Sequence, residues 1–175
     1  MYCILGVPID AISVNETILT VRTAAAQRAP FLISTPNLNF LIGSQKDVKF
    51  RDSLLASDLC LPDGMPLIWI ARMLSLPIRT RVSGSDLFDA LKRSDAQSLS
   101  VCFFGGAPGV AAQARESLNA EPTGLSCVGA VDPGAGSVED MSTDVLLDQV
   151  NRSGADFLIA ARGCKSLSYE SVKLG

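Results

Sequence analysis

Short apolar segments alternate with segments of helical periodicity along most of this chain, and this alternation limits its possible folds more than any other feature. The strand-like segments are Phe31–Ser34, Leu59–Leu61, Leu99–Phe104, Leu125–Ala130 and Asp156–Ala160. Apolar spacing or capping patterns predict helices at Gln45–Ala56, Met65–Leu76, Val110–Leu118 and Thr143–Asn151, and others opening near Ser13 and Ser85. Strands that alternate with helices form parallel sheets through right-handed crossovers. We therefore predict an α/β, Rossmann-like, doubly wound fold with a mainly parallel sheet and helices on both faces.

Length and charge restrict the domain organisation and the classes of partner. The chain has 175 residues, which suits one domain, predicted at 1–160, followed by an atypical tail at 161–175. Its net charge is −3 and it has no long run of Lys or Arg, which argues against binding to nucleic acid. The first residues lack a secretory signal and no apolar run is long enough to span a bilayer, so we expect a cytoplasmic protein.

The residues available for catalysis are limited by an absence of histidine. A chain without His cannot form a His-based triad or a metal site that uses imidazole. The five cysteines are scattered and never form a CxxC pair, so we expect reduced core residues rather than disulfides or zinc ligands. No Asp-x-Asp pair is present to hold a divalent ion on a diphosphate, and we predict neither a metal nor a cofactor.

Polar and glycine-rich segments follow several predicted strands, at the edge where α/β sheets bind ligands. Thr35 and Asn37 follow the first and could bind a sugar or a base, although Pro36 and Asn37 also suit an ordinary turn. Asp63 follows the second. Its carboxylate could accept a proton from a substrate hydroxyl, or it could simply cap the helix that begins near Met65.

Two further segments suit a phosphate group. Gly105 and Gly106 open a turn between a strand and a helix, where free N–H groups attract a diphosphate, but a plain strand-to-helix turn explains them equally well. Arg81 could neutralise a leaving diphosphate without a metal.

Four motifs in order resemble the WecG/TagA/CpsF family of bacterial glycosyltransferases. They are Thr35-Pro36-Asn37, the eight residues from Pro62 to Trp69, the seven from Arg81 to Leu87, and the eight from Phe103 to Val110. Each is short, but their order and separations match the family over roughly residues 1 to 160.

The resemblance implies inverting, metal-independent transfer of a sugar from a UDP-sugar to a polyprenyl-diphosphate-linked acceptor, in cell-wall or exopolysaccharide synthesis. It gives Asp63 the role of catalytic base, and it places Thr35, Asn37 and Arg81 in the sugar-nucleotide pocket. The acceptor would bring the protein to the inner face of the plasma membrane. The implied sugar is of the N-acetylmannosamine, mannosaminuronate or hexose type.

The C-terminal segment departs from the family pattern. Family members continue after the last strand with a motif containing Gly, Lys and Gln, whereas only Gly163 and Lys165 remain here. One alternative is therefore a truncated, inactive domain that binds a sugar nucleotide without turnover. Apolar surface left exposed by an altered C-terminus could also make the chain a homo-oligomer.

A third hypothesis is a dehydrogenase or methyltransferase that uses the Gly105–Gly106 turn, but the sequence lacks a complete GxGxxG motif.

Overall fold

A computed structural model describes residues 1–94, 96–134, 140 and 143–161, the side chain of Ala161 excepted. The strands are β1 Tyr2–Ile4, β2 Val7–Ile9, β3 Ile33–Ser34, β4 Leu59–Cys60, β5 Leu99–Gly105, β6 Leu125–Val131 and β7 Phe157–Ala161. The helices of the described residues are α1 Val14–Gln27, α2 Leu38–Ser44, α3 Val48–Leu55, α4 Met65–Met73, α5 Gly84–Lys92, α6 Val110–Asn119 and α7 Asp144–Arg152. The mixed α/β class and the Rossmann-like character are confirmed.

The chain divides into two compact units. Among the described residues, the first holds 1–21 and 31–90 and the second holds 22–30 and 91–161. The prediction of a single domain through residue 160 stays a prediction. The predicted tail lies outside the described residues, apart from the backbone of Ala161.

The first unit contains an antiparallel hairpin and a short parallel pair. Strands β1 and β2 are antiparallel, and their two-residue turn places Leu5 and Gly6 at φ 51° and 80°. Positive φ at both positions matches the right-handed twist of a hairpin. Strands β3 and β4 are parallel, with Ser34 opposite Cys60. This parallel pair carries the polar segments that follow both strands.

A hydrophobic cluster of buried residues stabilises the first unit. Its fully buried members come from β1, β2 and helices α2, α3 and α4, with Ile78 added from the segment after α4: Ile4, Val7, Ile9, Leu41, Leu54, Leu67, Ile68, Ala71 and Ile78. Phe40 and Phe50 pack against this cluster. Their two rings meet edge to face, with centroids 5.2 Å apart. The removal of these apolar side chains from water is the main favourable term in the folding of this unit.

The second unit is built on a three-stranded parallel sheet in the order β6-β5-β7. The central strand is buried on both faces, since the adjacent residues Val101 and Cys102 point to opposite sides and both are fully buried. Helix α7 covers the face that carries Cys102 and Phe104. A bulge between Val101 and Cys102 shifts the pairing with β6 by one residue.

Two predicted helices differ from the structure. The helix predicted at Gln45–Ala56 is wrong at its start, because Asp47 caps α3 with its carboxylate and the helix begins at Val48. The helix predicted at Met65–Leu76 is wrong at its end, because Leu74 is the C-cap. It ends at Met73, and Trp69 and Met73 are exposed.

Three cysteines behave as the sequence predicts. Cys60, Cys102 and Cys127 are free and buried, whereas Cys3 is exposed and Cys164 lies outside the described residues. Desolvation raises the pKa of Cys60 to about 11, so its thiol stays protonated at neutral pH. None of the described helices combines the length and apolar character needed to cross a bilayer.

Candidate active site

Three segments of the first unit lie side by side beyond the ends of β3 and β4. The backbone N–H of Leu61 donates to Ser34 O at 2.8 Å, and that of Asp63 donates to Pro36 O at 2.9 Å. The N–H of Val82 donates to Pro62 O at 2.9 Å. The parallel pairing thus continues past the strands and places the segments of Thr35, Asp63 and Arg81 next to one another.

Asp63 does not cap the helix that follows it. The N-cap of α4 is Gly64, which makes no side-chain capping bond, and Pro66 lies in the first turn. Gly64 has φ 98°, a conformation that L side chains rarely adopt, so a glycine is needed directly after Asp63. The capping interpretation of Asp63 is therefore wrong, and its carboxylate is left for another role.

The Asp63 carboxylate is half-buried and accepts no hydrogen bond from the described residues. Desolvation raises its pKa above the usual value for aspartate; nearby Arg81 lowers it in part, and Asp86 raises it further. A carboxylate that is desolvated and not hydrogen-bonded is a stronger base than one at the surface. Such a group suits general-base chemistry.

Arg81 is held by a partner that sequence reasoning did not assign to the site. Its Nη2 atom lies 2.7 Å from Asp86 Oδ2. Asp86 belongs to the first turn of α5, and the Ser83 N–H donates to Asp86 Oδ2 while the Asp86 N–H donates to Ser83 Oγ. These reciprocal bonds form a capping box. The Ser-x-x-Asp spacing could have identified this pair from the sequence.

The Asp86 carboxylate is favoured in its charged form. Its pKa lies below the usual value for aspartate, first because of the hydrogen bond from Ser83 and in smaller part because of Arg81. It therefore remains an ionised partner for the guanidinium. A guanidinium has five N–H donors, and those not used by Asp86 stay available for a ligand.

Thr35 and Asn37 are close to the same segments. A Cβ built on Gly64 would lie 4.0 Å from Asn37 Cβ, and one built on Gly84 would lie 3.6 Å from Thr35 Cγ2. Asn37 also caps α2, because its Oδ1 accepts from the Phe40 N–H at 3.2 Å. Its amide N–H₂ group is not used by this cap. Thr35, Asn37, Asp63 and Arg81 thus form one cluster in the first unit.

Gly105 and Gly106 belong to the second unit. Gly105 ends β5, and Gly105, Gly106 and Gly109 have φ of 90°, 93° and 80°. Gly109 is the N-cap of α6. The turn therefore needs glycine for backbone reasons, and its predicted contact with phosphate stays a prediction.

Comparison with known proteins identifies the family. The model of the glycosyl transferase WecG/TagA/CpsF family matches residues 2–166. An N-acetylglucosaminyldiphosphoundecaprenol N-acetyl-beta-D-mannosaminyltransferase of Bacillus spizizenii is 26% identical over 132 residues, which cover 75% of this chain and 49% of the relative. A protein of the same name from Bacillus subtilis strain 168 is 24% identical over 138 residues, covering 78% of this chain and 52% of the relative.

The chain spans about half the length of these curated relatives. The family match covers both units and all four motifs singled out in the sequence. The match also leaves the dehydrogenase and methyltransferase hypothesis without support. By this match over nearly its whole length, the chain belongs to the WecG/TagA/CpsF family of glycosyltransferases.

Proposed function

We propose that this chain transfers a sugar from a UDP-sugar to a polyprenyl-diphosphate-linked acceptor, with inversion and without a metal ion. The observation that carries the proposal is the Asp63 carboxylate, which has a raised pKa and lies at the ligand-binding edge of a parallel strand pair. The relatives' names contain N-acetylglucosaminyldiphosphoundecaprenol, which supports an acceptor of that lipid-linked type. Their names also support an N-acetylmannosamine-type donor sugar.

The proposed reaction is a single displacement. The oxygen of the acceptor hydroxyl attacks the anomeric carbon of the donor while Asp63 takes the proton of that hydroxyl. The bond between that carbon and the diphosphate oxygen breaks, and UDP leaves with the electron pair. Arg81 meets the negative charge that develops on the diphosphate. Thr35 and Asn37 hold the donor through the hydroxyl and the free amide group.

We also propose that the turn of Gly105 and Gly106, in the second unit, binds a phosphate group. The missing Cβ atoms allow close approach to the backbone, and the turn leads directly into the N-terminus of α6. Replacing Gly106 with a larger residue would bring its Cβ against Val110, since the Cβ position lies 3.4 Å from Val110 Cβ.

The test is acceptor-dependent UDP release from a panel of UDP-sugars, using a soluble short-chain analogue of the polyprenyl-diphosphate-linked N-acetylglucosamine. We expect release that persists in EDTA and needs the acceptor. A folded chain that binds UDP but releases none with any donor would overturn the proposal. That result would favour the second candidate, a domain that binds a sugar nucleotide without turnover.

Replacement of Arg81 tests its role at the diphosphate. We expect Arg81→Met to lower kcat by about 10²–10³, the usual cost of losing one charge-stabilising donor. Arg81→Lys should recover part of this loss, because it restores the charge but not the planar fork. The matched control is Arg51→Met, at an exposed arginine of α3. Equal rates for Arg81→Met and the control would contradict the role.

Replacement of Asp86 tests the electrostatic coupling around Asp63. Asp86 raises the pKa of Asp63, so Asp86→Asn should move the acidic limb of the kcat/KM profile to lower pH. Arg81 lowers that pKa, so Arg81→Met should move the same limb to higher pH. The asparagine can still accept from the Ser83 N–H, which preserves the helix start. Limbs that stay in place in both variants would exclude Asp63 as the group that titrates.

A further inference from the structure

Helix α4 has an exposed apolar face, which we call the α4 stripe: Met65, Trp69, Met73 and the adjoining Leu74. Their exposed fractions are 44%, 58%, 85% and 53%. Met65, Trp69 and Met73 are spaced by four residues and therefore lie on one side of the helix. The buried residues Leu67, Ile68 and Ala71 occupy the opposite side. A helix at an ordinary protein surface carries polar residues where this stripe lies.

The charged residues of the segment that carries the α4 stripe are all arginines. The segment from Gly64 to Arg81 contains three arginines and no acidic residue, although the whole chain has a net charge of −3. Arg72 lies three residues after Trp69, at the border of the stripe, and Arg79 follows the helix. Both are exposed and neither forms an ion pair within the described ranges. Arg81, in contrast, is paired with Asp86.

Exposed tryptophan, methionine and leucine flanked by arginine are typical of helices that lie in the interface of an anionic bilayer. The amphipathic indole ring is favoured at the head-group level, and each nearby arginine adds attraction to anionic lipid. A second copy of the chain would also match the apolar side chains, so self-association is one outcome of the test below. The bilayer satisfies both features.

We propose that the α4 stripe docks this protein on the anionic surface of the membrane that holds its acceptor. The identity of that acceptor rests on the proposed function. Helix α4 begins two residues after Asp63 and is about 13 Å long at 1.5 Å per residue. A docked α4 therefore keeps the Asp63 carboxylate close to the head groups, where the diphosphate-linked sugar of a polyprenyl lipid lies.

The test uses Trp69 as its own reporter, because it is the only tryptophan in the chain. Phosphatidylcholine vesicles that contain phosphatidylglycerol should shift the Trp69 emission to the blue and sediment with the protein. Vesicles of phosphatidylcholine alone should bind more weakly, and added salt should weaken the anionic case. An emission spectrum unmoved by the anionic vesicles would overturn the proposal.

Two variants assign the binding to the stripe. Met73→Glu should reduce partitioning to anionic vesicles by about tenfold or more, through lost apolar contact and added repulsion. Arg72→Gln should reduce the preference for anionic over neutral vesicles. The matched control is Val48→Glu on α3, where the valine is 71% exposed. Met73 is 85% exposed, so the melting temperature of Met73→Glu should equal that of the wild type. Equal loss of binding in Met73→Glu and Val48→Glu would contradict the assignment.

Two further outcomes separate the alternatives. Self-association without lipid that Met73→Glu abolishes, together with no response to vesicles, would replace the membrane by a second copy and overturn the proposal. UDP release from the soluble acceptor reports on the proposed function independently of vesicle binding. Vesicle binding without turnover would support docking and reject the proposed reaction. Turnover without vesicle binding would support the proposed reaction and reject docking.

Discussion

Asp63→Asn should abolish most of the acceptor-dependent release of UDP while leaving the fold intact. Loss of a positioned general base typically lowers the rate by about 10²–10⁴, and we expect kcat to fall within that range. The amide occupies nearly the same volume as the carboxylate but cannot take the proton of the acceptor hydroxyl. Binding of UDP should change little, because the proposed diphosphate contact is Arg81.

The same variant should be at least as stable as the wild type at neutral pH. The folded-state pKa of Asp63 is raised, mainly by desolvation, so the folded protein holds this proton more tightly than the unfolded chain does. Its contribution to the free energy of unfolding is fully present below the unfolded pKa and is lost as pH rises through the folded pKa. Asparagine does not titrate, so the variant does not lose this stability. The melting temperature of Asp63→Asn should therefore rise relative to that of the wild type as pH rises from the unfolded pKa of Asp63 through its folded pKa.

An exposed aspartate in the same unit provides the control for Asp63. Asp52→Asn on α3 removes the same charge at the surface, and we expect full activity. Thermal melts at several pH values and UDP release on all three proteins complete the comparison. Near-normal turnover by a folded Asp63→Asn protein would exclude Asp63 as the base.

Gly124→Ala should be the most destabilising small substitution in the second unit. A Cβ at this position would lie 2.5 Å from the Ser94 carbonyl oxygen and closer still to that of Leu91. Both obstacles are backbone atoms, and the Gly124 N–H also donates to Lys92 O at 2.9 Å, so neither segment can move away without losing a bond. We expect a loss above about 4 kcal/mol, a large part of the total stability of a domain.

Gly154→Ala separates this clash from an effect of backbone conformation. Gly154 follows α7 with φ 62°, and no atom lies within 4 Å of its Cβ position. Its substitution should therefore cost only about 1–2 kcal/mol for the left-handed conformation. Urea unfolding of both variants measures the difference. Equal losses in the two variants would show that the close approach at Gly124 is relieved by movement of the chain.

Strands with long apolar segments were predicted more accurately from the sequence than short ones. Strands β5 and β6 are seven residues long, and each was predicted to within one residue of its ends. Strand β3 has only two residues, and four were predicted at Phe31–Ser34. The short β1–β2 hairpin was not predicted, because its turn is Leu5-Gly6 rather than a sequence such as Asn-Gly that favours positive φ.

Helix α2 shows a different reason for failure. Asn37 was interpreted as part of a turn or a ligand pocket, but its side chain also begins a seven-residue helix. A cap and a turn use the same residue types for the same hydrogen-bonding reason. Local sequence therefore could not distinguish them, and the start predicted for the next helix at Gln45 was wrong as well.

The sequence alone determined the α/β class, because that class needs only the order of strands and helices along the chain. It also predicted that the polar segments after β3 and β4 lie together, since the ends of paired parallel strands share one edge, whereas Gly105 and Gly106 belong to the second unit. Tertiary structure decided what each residue contacts. It showed that Gly64 rather than Asp63 caps α4, that Asp86 holds Arg81, and that one side of α4 faces outward. These contacts depend on burial and on neighbours distant in the chain, and an apolar helix has the same sequence pattern whether one of its faces is covered or left open.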